Sequence, residues 1–167
     1  PAWMRRIIEL KEKKISNSFP KEIIDAVHNL ASEDTVIATD VGQHQMWVAQ
    51  YYGFKKPRTF ISSGGMGAMG FGMGAAIGAC LSTGKRHTVL FTGDGSFLMN
   101  LNELATAVSE DLPIIVVLFN NHALGMVRQW QTLFYQKRYS QTTLSGETDY
   151  LKVAEGFSAK GCRVQNR

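Results

Sequence analysis

Two stretches decide how this chain folds: HTVLFTGDGS, from His87 to Ser96, and PIIVVLFNN, from Pro113 to Asn121. Each is an apolar run that stops abruptly at glycine or polar residues. The pattern predicts strands over His87–Phe91 and Pro113–Phe119, and the second is so continuously apolar and β-branched that it reads as a strand buried on both faces of a parallel sheet. Between them Phe97, Leu98, Leu101, Leu104, Ala105 and Val108 recur at helical intervals. The unit is therefore strand, helix, strand. Neighbouring parallel strands put the residues that follow them on one edge of the sheet, which is where such sheets receive ligands. Asp94 and Asn121, 27 residues apart, are expected to meet there.

Outward from this unit the same alternation continues. TVIAT (Thr35–Thr39) and RTFIS (Arg58–Ser62) read as two more strands. Pro20 opens a helical pattern with Ile23, Ile24, Val27, Leu30 and Ala31 on one face. Met126, Trp130 and Leu133 mark a helix after the fourth strand, Tyr150 to Ala159 another, and Gly161–Val164 the start of a fifth strand. The fold class is α/β, a parallel sheet with helices on both faces. The segments after the strands are polar or glycine-rich: Asp40-Val41-Gly42-Gln43-His44, Ser63 to Gly70, Gly93-Asp94-Gly95-Ser96 and Asn120-Asn121-His122.

Composition limits the function classes. The chain has 167 residues, 44% hydrophobic and 19% charged, enough apolar material for a full core in one domain. The net charge is +4, and much of the excess is Arg5, Arg6, Lys11, Lys13 and Lys14, which read as a solvated helix face. No basic stripe or nucleic-acid motif runs through the body, so no nucleic-acid partner is expected. The longest apolar stretch, Ile114 to Phe119, is far too short for a bilayer. Cys80 and Cys162 lack metal-ligand spacing and exclude a disulfide framework, which suggests a reducing, cytoplasmic setting. The chain opens at Pro1 and stops just after its last strand begins. It is expected to be part of something longer, with residues 1–17 a leading helix or linker from a preceding domain and residues 18–167 one domain truncated at its C-terminus.

Two glycine motifs could carry chemistry. Gly65 to Gly70 matches GxGxxG after a strand, and Asp94 follows 24 residues later, close to a dinucleotide fingerprint. Against it, the strand before is poor in apolar residues and Asp94 sits inside a Gly-Asp-Gly turn. Gly70, Gly72, Gly74 and Gly78 would equally allow a helix to pack close on the sheet. Gly93-Asp94-Gly95-Ser96 alone could be a turn with Ser96 capping a helix. Paired with Asn121 it offers two hard oxygens that suit Mg²⁺, which completes its octahedron with water and phosphate oxygens. The flanking glycines would let a diphosphate approach the backbone, and the N-terminus of the helix beginning near Ser96 would favour its charge.

Gly-Asp-Gly, some two dozen residues, then Asn-Asn is the signature shared by thiamine-diphosphate enzymes. DVGQHQMW (Asp40–Trp47), GDGSFLMNLNELATA (Gly93–Ala107) and NNHALGMVRQWQ (Asn120–Gln131) resemble the large catalytic subunit of the acetolactate (acetohydroxyacid) synthase family. The resemblance runs from about Pro20 to the end and matches only that enzyme's C-terminal third, its thiamine-diphosphate-binding domain. It departs at Gly74, where the family usually has Pro, and at Met66, where Leu is frequent.

The resemblance implies roles by position. Val41, Gly42, Gln43 and His44 line the diphosphate. Gly67 and Met69 hold the pyrimidine ring, with Met69 wedged beneath the bent cofactor. Gly93, Asp94, Gly95 and Ser96 serve diphosphate and metal. Asn121 is the second side-chain ligand of Mg²⁺ and the carbonyl of Ala123 a third. Met126 and Trp130 border the substrate pocket, although Trp130 on an amphipathic helix could also be core.

The implied activity decarboxylates pyruvate and condenses the hydroxyethyl unit with pyruvate or 2-oxobutyrate, in branched-chain amino acid biosynthesis. No catalytic residue is expected within this chain. The activating glutamate belongs to the family's N-terminal domain, and Glu103 and Glu110 lie on the wrong side to replace it. The chain alone should therefore be inactive. FAD would bind a central domain not present here. Homo-oligomerisation through the other domains, and a small regulatory subunit, are implied too. Glyoxylate carboligase, pyruvate oxidase and 2-oxo acid decarboxylases share this domain and remain alternatives, and an NAD-binding module remains a distant one.

Overall fold

Strands form where β-branched residues alternate sides. β1 (Val36–Thr39), β2 (Phe60–Ser62), β3 (Thr88–Gly93) and β4 (Ile114–Phe119) are all parallel and lie in the order β2-β1-β3-β4. The computed structural model describes residues 19–84, 86–144 and 146–164. The basic leading segment expected over residues 1–17 lies outside them. The helices are α1 (Phe19–Leu30), α2 (Gln43–Tyr51), α3 (Phe71–Ser82), α4 (Asp94–Leu98), α5 (Leu104–Ser109), α6 (Gly125–Phe134) and α7 (Tyr150–Gly156).

The period of two divides the core. Ala38 and Leu90 face one layer with Met73, Ala76 and Ile77 of α3, Phe97 of α4, and Leu104 and Ala107 of α5. Ile37, Val89 and Phe91 face the other with Ile24 of α1 and Val48 and Tyr52 from the α2 side. Helices thus cover both faces, as the pattern predicts. Phe91 is fully buried, worth roughly 2–3 kcal/mol of removed apolar surface. Among the described residues no helix is long and apolar enough to cross a membrane.

Four expectations are corrected. First, the buried strands are β1 and β3, and β3 lies between β1 and β4. β4 is the edge of the described sheet, and Ile115 is 58% exposed. An apolar run reports composition and cannot tell a central strand from an edge one. Second, the helix expected from Phe97 to Val108 is broken into α4, a 3₁₀ turn at Leu101–Glu103, and α5. The break is at Asn100, whose backbone (φ −145°, ψ 30°) leaves helical space and whose amide donates to the Gly70 carbonyl at 3.3 Å. Third, β2 begins only at Phe60, because Arg58 turns with φ 61°. Fourth, residues 161–164 form no strand. Gly161 lies against Leu151 and Ala154 of α7, so this segment folds back on its helix.

The strand order also removes the dinucleotide reading. In that fold the glycine-rich turn and the acid follow adjacent strands. Here the Gly65–Gly70 loop follows β2, Asp94 follows β3, and β1 separates them. The glycines serve the approach of α3 to the sheet unequally. A Cβ on Gly72 would lie 2.8 Å from Leu90 Cδ1 and 2.9 Å from the Asp40 side chain, whereas Gly74 and Gly78 face open space. Gly72→Ala is therefore expected to destabilise the fold by roughly 1–3 kcal/mol through overpacking. Gly74→Ala and Gly78→Ala should be neutral or stabilise it by up to about 1 kcal/mol. Urea unfolding of the three variants distinguishes them, and equal effects would refute this assignment of the contact.

Candidate functional site

All strands point the same way, so their C-terminal ends share one edge. Thr39 pairs with Phe91, and Gly93 with Phe119. The segments that leave these ends enclose an open cleft of about 230 Å³. Its wall includes every expected cofactor residue: Val41, Gly42, Gln43, His44, Gly67, Met69, Gly93, Asp94, Gly95, Ser96, Asn121 and Ala123. Met126 also lines it. Trp130 does not, and at 59% exposure it is not core either. It is one of several exposed apolar residues on α6, with Leu133 and Phe134.

Asp40 organises the floor. Its carboxylate is 2% exposed and accepts the N–H of Val41 at 2.8 Å and of Gly70 at 2.9 Å. Gly70 is left-handed (φ 85°) at the start of α3, a conformation suited to glycine. Burial pushes the Asp40 carboxyl up, against the pull of hydrogen bonds from Val41, Gly70, Gly72 and Ser96. Ser96, expected as a possible helix cap, instead lies inside α4 and donates to the Val41 carbonyl at 2.7 Å. The β1 and β3 loops are thus tied together beneath the cleft.

Two buried side-chain atoms on this wall have no hydrogen-bond partner among the described residues: Asp94 Oδ2 and His44 Nε2. Asp94 is 3% exposed, and its other oxygen accepts the Gly95 N–H at 2.9 Å. Buried polar atoms are ordinarily satisfied, so two orphans in one cleft mark where a ligand would bind. Burial lowers the His44 pKa to about 4, while a hydrogen bond with the Asp40 backbone pulls the other way. The ring is neutral at pH 7. Gly42 and Gly93 make room for it: a Cβ at either would come within about 3 Å of the imidazole.

The opposite wall is the loop entering α6. Asn121 Oδ1 accepts the Ala123 N–H at 3.0 Å. Gly125 is packed so closely that a Cβ would meet the Gln43 and Asn121 side-chain amides. Gln43 in turn donates to Gln129 at 2.9 Å, which joins α2 to α6 across the cleft mouth. A Cβ on Gly95 would clash with Leu124, crowd Leu144 and touch Met69, so the apolar side of the cleft closes over that glycine.

Sequence reasoning missed several participants. Asp40 was visible as the first residue after a strand, but its use of both neighbouring loops is a tertiary fact. Trp47, Phe119, Leu124, Gly125 and Val127 line the cleft without any motif of their own. Tyr150 comes near from α7; burial, then the charge of Asp94, pushes its hydroxyl up.

Comparison with known proteins adds to this geometry. The family model for the thiamine pyrophosphate enzyme C-terminal TPP-binding domain matches residues 40–167. A probable acetolactate synthase large subunit of Methanocaldococcus jannaschii is 41% identical over 97% of this chain and 30% of its own length. The acetolactate synthase large subunit of Lactococcus lactis is 44% identical over 98% of the chain and 30% of its own. The isozyme 2 large subunit of Escherichia coli is 48% identical over 80% of the chain and 24% of its own. The chain therefore spans less than a third of the length of these curated relatives.

His44 generates a test independent of any ligand. Between its ordinary pKa of 6.5 and about 4, the unfolded chain binds more proton at this position than the folded one. His44 should thus make stability fall as pH drops through that window, by on the order of 3 kcal/mol in total. Asp40, raised by burial, acts in the opposite sense from its ordinary value upward. Comparing His44→Gln with the unmodified chain cancels that part. Urea unfolding at pH 7 and 5 should give a flatter pH dependence in the variant, and parallel curves would contradict a buried neutral ring.

Proposed function

Because the chain belongs to the thiamine pyrophosphate enzyme C-terminal TPP-binding family, we propose that its cleft holds the diphosphate end of thiamine diphosphate with one Mg²⁺. We propose further that the whole protein is an acetolactate synthase large subunit. The observation that carries the reading is the orphaned, buried Asp94 Oδ2 in the same cleft as Asn121.

The residues fit the group. Among the described residues no three His, Cys, Asp or Glu side chains converge on one point. A cation here would draw on Asp94, the Asn121 amide oxygen and the Ala123 carbonyl. Such an incomplete set of hard oxygens is what Mg²⁺ accepts when phosphate oxygens and water supply the rest. Gly42 and Gly93 leave room for the His44 ring on the wall that the diphosphate would meet, Gly95 lets Leu124 close beside it, and left-handed Gly67 (φ 64°) turns its loop at the cleft. His44, neutral and with an unpartnered buried Nε2 on a residue of the cleft wall, can donate an N–H to a phosphate oxygen or take up a proton as phosphate charge arrives. Val41, Gln43 and Ser96 complete the polar wall. Met69 supplies an apolar support for the cofactor's ring system, consistent with its approach to Gly95.

When bound, thiamine diphosphate supplies the carbon nucleophile and electron sink for decarboxylation and carboligation of 2-oxo acids. The chain's own part is to fix the diphosphate, neutralise its charge and shield the reacting end from water. Met126 offers an apolar wall to pyruvate and 2-oxobutyrate. Trp130, outside the cleft here, would border the pocket only together with other parts of the protein. The activating glutamate, FAD, a homo-oligomeric assembly and any small regulatory subunit belong to such parts as well. A cytoplasmic role in branched-chain amino acid biosynthesis completes the proposal.

A thermal-shift titration tests the binding claim. Thiamine diphosphate with Mg²⁺ at about a hundred times its Kd should stabilise the chain by roughly 2.7 kcal/mol, with little effect in chelator and none from NAD. Asp94→Asn and Asn121→Ala should each remove most of the Mg²⁺-dependent part. A shift with NAD, or an equal shift without Mg²⁺, would refute the reading.

In the whole enzyme, Trp130→Leu should alter the pyruvate to 2-oxobutyrate product ratio, since one methylene in a pocket is worth roughly 1–3 kcal/mol. It should move the stability of this chain by no more than about 0.5 kcal/mol, as the indole is exposed. An unchanged ratio with a large loss of stability would mean the indole serves packing.

A further inference from the structure

The loop that carries Asn121 and Ala123 is not held by the sheet alone. After α6 the chain reverses through two consecutive left-handed residues, Gln136 (φ 52°) and Lys137 (φ 60°). It then runs back toward the cleft. There Leu124 N–H donates to the Thr142 carbonyl at 2.9 Å, and Leu144 N–H donates to the His122 carbonyl at 2.9 Å. Ala123 pairs antiparallel with Thr143 between these bonds. Residues 142–144 therefore form a strap over residues 122–124.

The Gln131 side chain makes the most bonds between the strap and α6. Gln131 Nε2 donates to the Ser140 carbonyl at 3.0 Å, and its Oε1 accepts the Thr142 hydroxyl at 3.1 Å and the Ser140 N–H at 3.4 Å. Its backbone carbonyl also accepts Tyr135 and Lys137 N–H groups at the reversal. Thr142 is 2% exposed in a surface segment whose neighbours are mostly exposed. A hydroxyl buried at that position needs its partner. Arg128 also reaches the return, over the Tyr139 ring at 4.2 Å and to the Thr143 hydroxyl at 3.4 Å, but it is Gln131 that bonds the strap's backbone at Ser140 and the buried Thr142 hydroxyl together.

We propose that Gln131 is a positioning residue for the cation: it locks the 140–144 strap, which fixes the Ala123 carbonyl and the Asn121 amide opposite Asp94. The inference rests on the cofactor reading above. It assigns a role to a residue that touches neither cation nor cofactor, through groups that support the ligands and set their geometry.

The test uses the full chain with thiamine diphosphate and either MgCl₂ or CaCl₂, with apparent cation constants from calorimetry. Mg²⁺ demands near-ideal octahedral geometry, whereas Ca²⁺ tolerates irregular sites. Gln131→Ala should weaken Mg²⁺ about tenfold and Ca²⁺ less than about threefold. Thr142→Val, which keeps shape but loses the hydroxyl, should shift the same ratio by a smaller factor, and it carries the test if Gln131→Ala does not fold. Unchanged Mg²⁺ constants, or equal losses for both cations, would overturn the proposal. Asp94→Asn separates the two claims. If it abolishes the Mg²⁺ response while Gln131→Ala and Thr142→Val retain it, only the strap's role fails. If the unmodified chain shows no cation dependence, the cofactor reading fails and the strap's role with it.

Discussion

The Asp40 carboxylate sits at the end of β1 with almost no access to water, and one of its oxygens, Oδ1, accepts the N–H groups of both Val41 and Gly70. Burying a carboxylate is costly unless hydrogen bonds compensate it. Here the compensation comes from backbone that the cleft needs in place. Gly70 starts α3, and the Asn100 amide bonds the same glycine's carbonyl from the far side. Gly72, the second residue of the helix, has no room for a Cβ beside Asp40. The glycine-rich loop, the first turn of α3 and the broken helix after β3 are therefore one interlocked unit. Gly67 and Met69 reach the cleft from that unit.

The sheet supplies the second constraint. With β3 between β1 and β4, the loops carrying His44, Asp94 and Asn121 leave adjacent strands at the same edge. That adjacency gathers an imidazole, a carboxylate and an amide separated by dozens of residues. Two of these groups retain a buried atom with no partner. Among the described residues the other buried side-chain polar atoms are satisfied and these two are left open, which puts the unsatisfied polarity where a charged ligand would complete it.

Much of this was legible in the sequence. The alternation of apolar runs predicts the α/β class, and the residues after each strand predict the cleft wall. What escaped has physical reasons. A run such as PIIVVLF signals apolarity on every side, yet β4 ends up at the edge of the described sheet, because strand order is a tertiary choice. The helix period over residues 97–108 continues through Asn100, whose side chain is recruited by Gly70 and breaks it. Residues 161–164 look like a strand locally but lie against α7 at Leu151. Trp130 carries a resemblance that local periodicity cannot place, and in this chain it faces outward. Gln131 and Thr142 have no motif, since their importance comes from a chain reversal that only the fold reveals.

The central claim is that Asp94 and Asn121 serve one and the same cation. A double-mutant cycle on the Mg²⁺ dependence of thiamine diphosphate binding measures this directly, using Asp94→Asn, Asn121→Ala and the pair together. Ligands of one ion are strongly coupled, so the double variant should bind Mg²⁺ little worse than the weaker single variant. Losses that simply add would mean that the two residues act at separate places, and would contradict the account.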